Sequence, residues 1–214
     1  MSVMYLPEQF REERAEVLHE FIAHHPFGTL VAQTKEGLSG NHVPMLWSGR
    51  EGSAGVLRGH LAKANPLWRA LEPDAPVLVM FMGADHYITP SWYPAKKEHG
   101  KVVPTWNYSV VHAHGTIRFS EDAAQALAIV SALTEHQESP RALPWHIADA
   151  PSDYIASLLK SIVPFEIAVS RLVAKFKASQ HRPAEERAAV AQALEAEGVA
   201  AQERAEVVRE RSPP

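Results

Sequence analysis

The sequence predicts an α+β fold that is mainly β: a small antiparallel barrel of about six strands with flanking helices. Three observations point there. Extended apolar runs crowd into one block, residues 29–119, and one more follows at 164–179. Short glycine-bearing turns, "KEG" and "GREGSAG", join the first three runs, as expected of antiparallel neighbours. Helical patterning lies mostly outside that block, and 214 residues with 46% apolar content can build a proper core.

Taken in order, residues 8–25 predict a helix, with Phe10, Val17, Leu18, Phe21 and Ile22 on one stripe. Pro26 ends it, and the β-branched run Thr29 to Thr34 opens the first strand. "LSGNHVPMLWS" and "VLRGHLA" are the second and third. A short helix is expected from Pro66, since proline is tolerated in a first turn. "VLVMFMG" is continuously apolar, which predicts a strand buried on both faces, and "DHYITPS" continues extended. "VPTWNYSVVHAHGTIRFS" is a long further strand, and Ser120 is the expected cap of a helix over 121–136. The proline-bearing "ESPRALPWHIADAPS" reads as loop, 153–161 as helix and "PFEIAVSRLVAKFKAS" as a returning strand. Pro183 starts an Ala/Glu/Arg-rich helix that Gly198 interrupts, ending in a frayed Ser-Pro-Pro tail. The expected organisation is a barrel domain over 1–182 with a helical extension over 183–214.

Composition narrows function by exclusion. Cysteine is absent, which removes disulfides, zinc-thiolate sites and cysteine nucleophiles. The start has no apolar signal region and no run reaches the ~18 residues of a membrane span, so a cytoplasmic protein with no membrane partner is expected. A formal net charge of −4 does not attract phosphate backbones, and no block of five basic residues offsets it. Twelve histidines occur, including His24–His25 and the pair His112 and His114, yet no His-Glu-x-x-His or carboxylate-rich loop completes a ligand set. Nucleophile elbows, Walker loops and Gly-x-Gly-x-x-Gly turns are missing too.

Phosphate and flat-ring chemistry remain. In "RGHLAKANP", Arg58, His60 and Lys63 gather where a strand meets a helix start, which either holds an anion or is a solvated strand end. In "YITPSWYPAKKEHGKVVPTWNYSVVHAHG", Trp92, Tyr93, Trp106 and Tyr108 either line a flat-ligand pocket or pack as core.

Seven ordered blocks resemble the PaiB-like family of FMN-binding negative transcriptional regulators. They are "MYLPEQF", "HHPFGTLV", "GLSGNHVPML", "GHLAKANPLW", "YITPSWY", "EHGKVVPTWNYSVVHAHG" and "KFKASQHR". The resemblance implies an FMN-binding split β-barrel, a homodimer with flavin sites at the subunit interface, and a regulator that touches DNA by a route the residues do not reveal. It implies that Asn41, His42, Val43 and Pro44 run along the flavin ring and that His60 and Lys63 hold its phosphate. It places Ser91, Trp92, Lys96, Trp106 and Asn107 in the same pocket, with Lys175 and Gln180 beside Lys177. Ala62 stands where the wider superfamily often has arginine, and Ala178 and His181 also depart from the pattern. The competing class is an enzyme, an FMN-dependent oxidoreductase, or a haem-binding relative in the same barrel. No acid/base pair is clear enough to name as catalytic.

Overall fold

The computed structural model of the protein describes residues 4–49 and 55–200. The expected frayed tail lies outside them. Seven strands are present: β1 (Arg11–Glu12), β2 (Phe27–Thr34), β3 (Gly37–Ser48), β4 (Val56–Ala62), β5 (Ala75–Ile88), β6 (Thr105–Phe119) and β7 (Ile162–Lys177). The helices are α1 (Ala15–His24), α2 (Leu67–Ala70), α3 (Ala95–Glu98), α4 (Ala123–Glu138), α5 (Ser152–Leu159) and α6 (Ala184–Ala196). Strand order is β1-β7-β4-β3-β2-β5-β6, and β6 also pairs with β7. The β1–β7, β2–β3, β2–β5, β3–β4 and β4–β7 pairings are antiparallel.

The chain divides into two compact units: one of residues 1–18, 82–111 and 173–214, the other of residues 19–81 and 112–172. They are called unit 1 and unit 2 below. In unit 2 the strands alternate, apart from the run Val163–Phe165 of β7, which is buried throughout. Leu30 and Ala32 of β2, Val43 and Met45 of β3, Leu57 and Leu61 of β4, Val77 and Val79 of β5, and Val163, Phe165 and Ile167 of β7 are buried. A side chain at every second residue on one face is what a half-covered antiparallel sheet requires. Gly28 and Gly59 sit inside this layer, where an added Cβ would come within 2.8 Å of Phe81 and 2.7 Å of Phe165. In unit 1, α6 sends Val190 and Leu194 against Ile88 and Tyr93, with Trp92 and Val102 packed around them.

Three expectations change. The helix over 8–25 gives way to a 3₁₀ turn at Glu8–Phe10, then β1, and only then α1. Arg11 and Glu12 pair with β7, and the Glu12 carboxylate accepts from the amides of Glu13 and Arg14, so the helix starts after that acid. The start of α4 shifts as well: Asp122 caps it by accepting from Ala124 N at 2.8 Å, while Ser120 accepts from Asp122 N. "VLVMFMG" is not buried on both faces, because Leu78 and Met80 are half-exposed and Met82 is exposed. The short helix expected from Pro66 is present as α2, with four residues.

Candidate functional site

The β3 segment and the turn after β4 come together in unit 2. Asn65 Nδ2 donates to Asn41 Oδ1 at 2.7 Å, and Asn41 Nδ2 donates to Ser39 Oγ at 3.2 Å. Asn65 Oδ1 also accepts from Leu67 N at 3.0 Å, so one amide side chain closes the turn into α2 and ties it to β3. Lys63 N donates to Ser161 O at 2.7 Å, and Trp68 Nε1 donates to Lys63 O at 3.0 Å, holding the turn from its other side. A cleft of about 480 Å³ opens beside this junction, lined by Ser39, Leu38, Asn65, Leu67, Arg69 and Lys35 among others. That size suits a small ligand.

Strand alternation separates the four residues expected along the ring. Asn41 and Val43 share one face of β3, and Val43 is buried in the core layer. His42 and Pro44 belong to the opposite, outward face. There His42 Nδ1 lies 3.0 Å from Thr29 Oγ1, and its ring stacks on Phe27 with centroids 6.4 Å apart. Gly40 shares that face, and a Cβ placed on it would meet no atom within 4 Å. The strand backbone is therefore open to a flat group there.

His60 lies on β4 with Pro164 of β7 across the ladder. Its Nδ1 is enclosed and has no hydrogen-bond partner among the described residues. Burial pushes its pKa below the ordinary value, so it favours the neutral ring. The cations of the turn, by contrast, are already engaged. Arg58 Nε donates to Glu166 at 2.6 Å and its other arm reaches Ser48 Oγ. Lys63 Nζ pairs with Glu121 at 2.8 Å. Arg58 and Lys63 are thus both ion-paired, and the four-residue α2 has its first amide filled by Asn65.

The other expected residues belong to unit 1. Thr89 accepts from Ser91 N, and Lys96 Nζ donates to Ser91 Oγ at 2.9 Å, both exposed. Trp92 is half-buried in the apolar cluster of that unit. Trp106 is 53% exposed and meets Tyr87 edge-on. Asn107 is fully buried, and its Oδ1 accepts from Ser179 Oγ at 3.0 Å. Gln180 is structural in its bonding: Oε1 accepts from Ala178 N and Nε2 donates to Phe176 O, which braces the turn after β7. Lys175 is buried, with Nζ 5.3 Å and 5.4 Å from the rings of Tyr5 and Tyr108. The aromatic-rich stretch thus resolves into core (Tyr93, Trp92), a cation platform (Tyr108) and two exposed rings (Tyr87 and Trp106).

Asn65 is the residue that sequence reasoning missed. Its signal was present, since asparagine ahead of a helix start is a preferred capping residue. Among the described residues no group of three or more metal-ligating side chains gathers, and no helix is long and apolar enough to cross a membrane.

Comparison with known proteins fits this geometry to a family. The family described as "Putative FMN-binding domain" matches residues 4–171. The chain belongs to that family. A relative in Bacillus subtilis (strain 168), "Protease synthase and sporulation protein PAI 2", is a PaiB protein, 34% identical over 181 residues, which are 84% of this chain and 83% of the relative. "Uncharacterized protein AN0679" of Emericella nidulans is 35% identical over 212 residues, 83% of this chain and 84% of that one. Solved structures similar to this family member include the flavocytochrome Anf3 from Azotobacter vinelandii, with a TM-score of 0.56 at 11% identity over 83% of this chain and 74% of that chain. The FAD and heme binding protein from Mycobacterium smegmatis has a TM-score of 0.55 at 16% identity, over 78% and 72% of the two chains. At such identities the likeness concerns the fold. That fold, a mostly antiparallel seven-stranded sheet with six helices, is the one these flavin-binding split-barrel neighbours share.

Proposed function

We propose that the protein binds FMN in unit 2, where β3 meets the turn between β4 and α2, and that it works as a homodimeric regulatory flavoprotein. One observation carries the reading: the Asn65–Asn41 hydrogen bond joins the two segments that the family resemblance assigns to the flavin ring and its phosphate. The residues present fit the group. His60 Nδ1 is an enclosed polar atom in need of a partner, and Gly40 leaves the β3 backbone open to a planar ring. A flavin, when bound, supplies one- and two-electron redox chemistry of its own.

The chain's residues then have separate tasks. Asn65 and Asn41 fix the turn against the strand. Neutral His60 offers Nδ1 as one directional hydrogen bond, in a setting that disfavours a charged ring. Lys63 would meet a phosphate only by exchanging its bond to Glu121. Phe27 and Leu38, exposed by 66% and 77% on the outer face of the β2–β3 hairpin, support a second subunit over this face. Regulation rather than metabolism is supported by the name of the Bacillus relative, which refers to protease synthesis and sporulation. A net charge of −4 argues that any DNA contact is weak and strongly salt-dependent.

The test is the absorption spectrum of protein purified without added cofactor, followed by FMN titration with flavin fluorescence as the readout. A flavin spectrum or saturable quenching supports the reading. Neither band nor quenching refutes it, and a Soret band in their place would assign haem.

A further inference from the structure

We propose that unit 1 carries a binding site for a phosphate group, built from Lys175 and Lys177 of β7 and from Arg182, which lies over the ring of Tyr93. It does not rest on the flavin reading, and its three cations lie beyond residues 4–171 that the family description covers.

Lys175 is only 8% exposed, yet among the described residues the partners of its ammonium are neutral. Nζ donates to the Tyr5 carbonyl at 3.2 Å and faces the rings of Tyr5 and Tyr108. Lys177, two residues on and on the same face of β7, donates to Thr105 Oγ1 and to the Trp106 carbonyl, both neutral again. Lysines are almost never fully buried unless they are paired. Arg182 places its guanidinium 4.7 Å above Tyr93 and reaches the Glu186 carboxylate at 3.3 Å. Its Nε and the Tyr93 hydroxyl are both enclosed and have no hydrogen-bond partner among the described residues.

Charge and hydrogen bonding therefore leave the same kind of deficit. Three cations stand against one identified carboxylate, and two buried donors want acceptors. The neighbours feel the excess: burial first, then Lys175 and Arg182, pushes the Lys177 pKa down. His181 is pushed down too, by burial first and then by Arg182 and Lys177. A phosphate monoester carries close to two negative charges and three acceptor oxygens, which matches both deficits. Arginine and lysine together supply the fork and the point charge that phosphate recognition uses.

The test compares thermal melts of the full chain in sodium phosphate and in sodium chloride of equal ionic strength. The wild-type protein should melt higher in phosphate. Lys177→Met, which keeps the stem and removes a mutually repelled charge, should fold and lose that increment, and Lys160→Ala, an exposed control outside both sites, should keep it. Should Lys177→Met fail to fold, Arg182→Gln repeats the comparison. No increment in the wild type, or an increment that survives in the variant, overturns the proposal. Parallel titrations with FMN and riboflavin identify the source of the phosphate. If it is that of the flavin, Lys177→Met weakens FMN roughly 10- to 150-fold and leaves riboflavin unchanged. If both flavins are unaffected while the phosphate increment disappears, the site takes a separate phosphate ligand. A wild-type protein that binds no flavin would refute the flavin reading and leave the melt comparison standing.

Discussion

Replacing Asn65 by alanine should separate the architecture of the unit 2 site from its ligand. The side chain makes two part-buried hydrogen bonds, one to Asn41 Oδ1 and one from Leu67 N. Each such bond contributes about 0.5–1.5 kcal/mol, so their joint loss should cost about 1–3 kcal/mol. For a chain of this length that corresponds to a melting temperature lower by roughly 2–12 °C. If the junction holds the flavin, FMN affinity should fall at least 2- to 12-fold in addition, the equivalent of one such bond. Asn65→Asp sharpens the test. It retains an oxygen for Leu67 N but turns an oxygen, not an amide, toward Asn41, and it adds negative charge where an anionic ligand would approach. The melt should recover part of the loss while FMN affinity stays low. The assay is differential scanning fluorimetry beside a flavin titration at fixed ionic strength. A melt that drops as calculated with unchanged FMN affinity in both variants would show that the junction is structural and that the flavin sits elsewhere.

Gly40→Val should leave the melt unchanged or raise it, since the added side chain meets open space on an exposed strand face; FMN binding should fall sharply if the ring lies along that strand, and intact binding would sink that placement. Gly115→Ala should be among the most harmful single changes in unit 2, because its Cβ would lie 2.4 Å from the Ala168 carbonyl oxygen; an overpacking cost of about 1–3 kcal/mol or more should appear in urea unfolding, and a midpoint unchanged from wild type would contradict it. Stability should fall on acidification below about pH 6.5. His60, His112 and His114 are each held below the ordinary histidine pKa, by burial first, so the unfolded chain takes up protons that the native state resists; stability is full above the unfolded value and declines toward the lowered native ones. Melts from pH 8 to pH 5 check this, and a flat profile would refute it. Glu121→Gln should strengthen FMN but not riboflavin if Lys63 serves the phosphate, because it frees that ammonium from its carboxylate; titrations showing no difference between the two flavins would remove Lys63 from the site.

How far the sequence could be read depended on how local the determinants were. The strand "VLRGHLA" has the bounds its pattern predicts, 56–62, because alternation and flanking turns both act within a few residues. The first segment misled for the opposite reason. The apolar stripe from Phe10 to Ile22 is genuine, and Phe10, Leu18, Phe21 and Ile22 are all buried, yet Arg11 and Glu12 are drawn into the sheet by β7, some 160 residues on. "VLVMFMG" misled because apolar residues tolerate half-exposure, so composition did not reveal that only alternate side chains go inward. Among candidate site residues, His42, Pro44 and His60 could be named from their blocks but not assigned to one outward face without the register. Tyr93 and Arg182 are 89 residues apart, and nothing local marks them as stacked.

The same reasoning decides which lysine is free to meet an anion. Lys63 is a candidate from the sequence because it follows a strand and precedes a helix start, a place that suits an anion. In the folded chain its charge is met by Glu121, as that of Arg58 is met by Glu166, so an incoming phosphate gains only the difference between two ion pairs. Lys175 and Lys177 had weaker local signals, yet their ammonium groups rest on carbonyls, a hydroxyl and aromatic faces. An anion arriving there displaces no carboxylate, and it relieves repulsion that burial keeps unscreened. If the flavin binds in unit 2 as proposed, its affinity there should come mainly from the ring, against the open β3 backbone and His60, with little help from the phosphate. That makes a measurable consequence of the charge pairing itself: with the unit 1 cluster neutralised by Lys177→Met, FMN and riboflavin should bind unit 2 with similar affinity. A large remaining preference for FMN in that variant would mean that Lys63 does abandon Glu121, and that the exchange is more favourable than two solvent-exposed pairs allow.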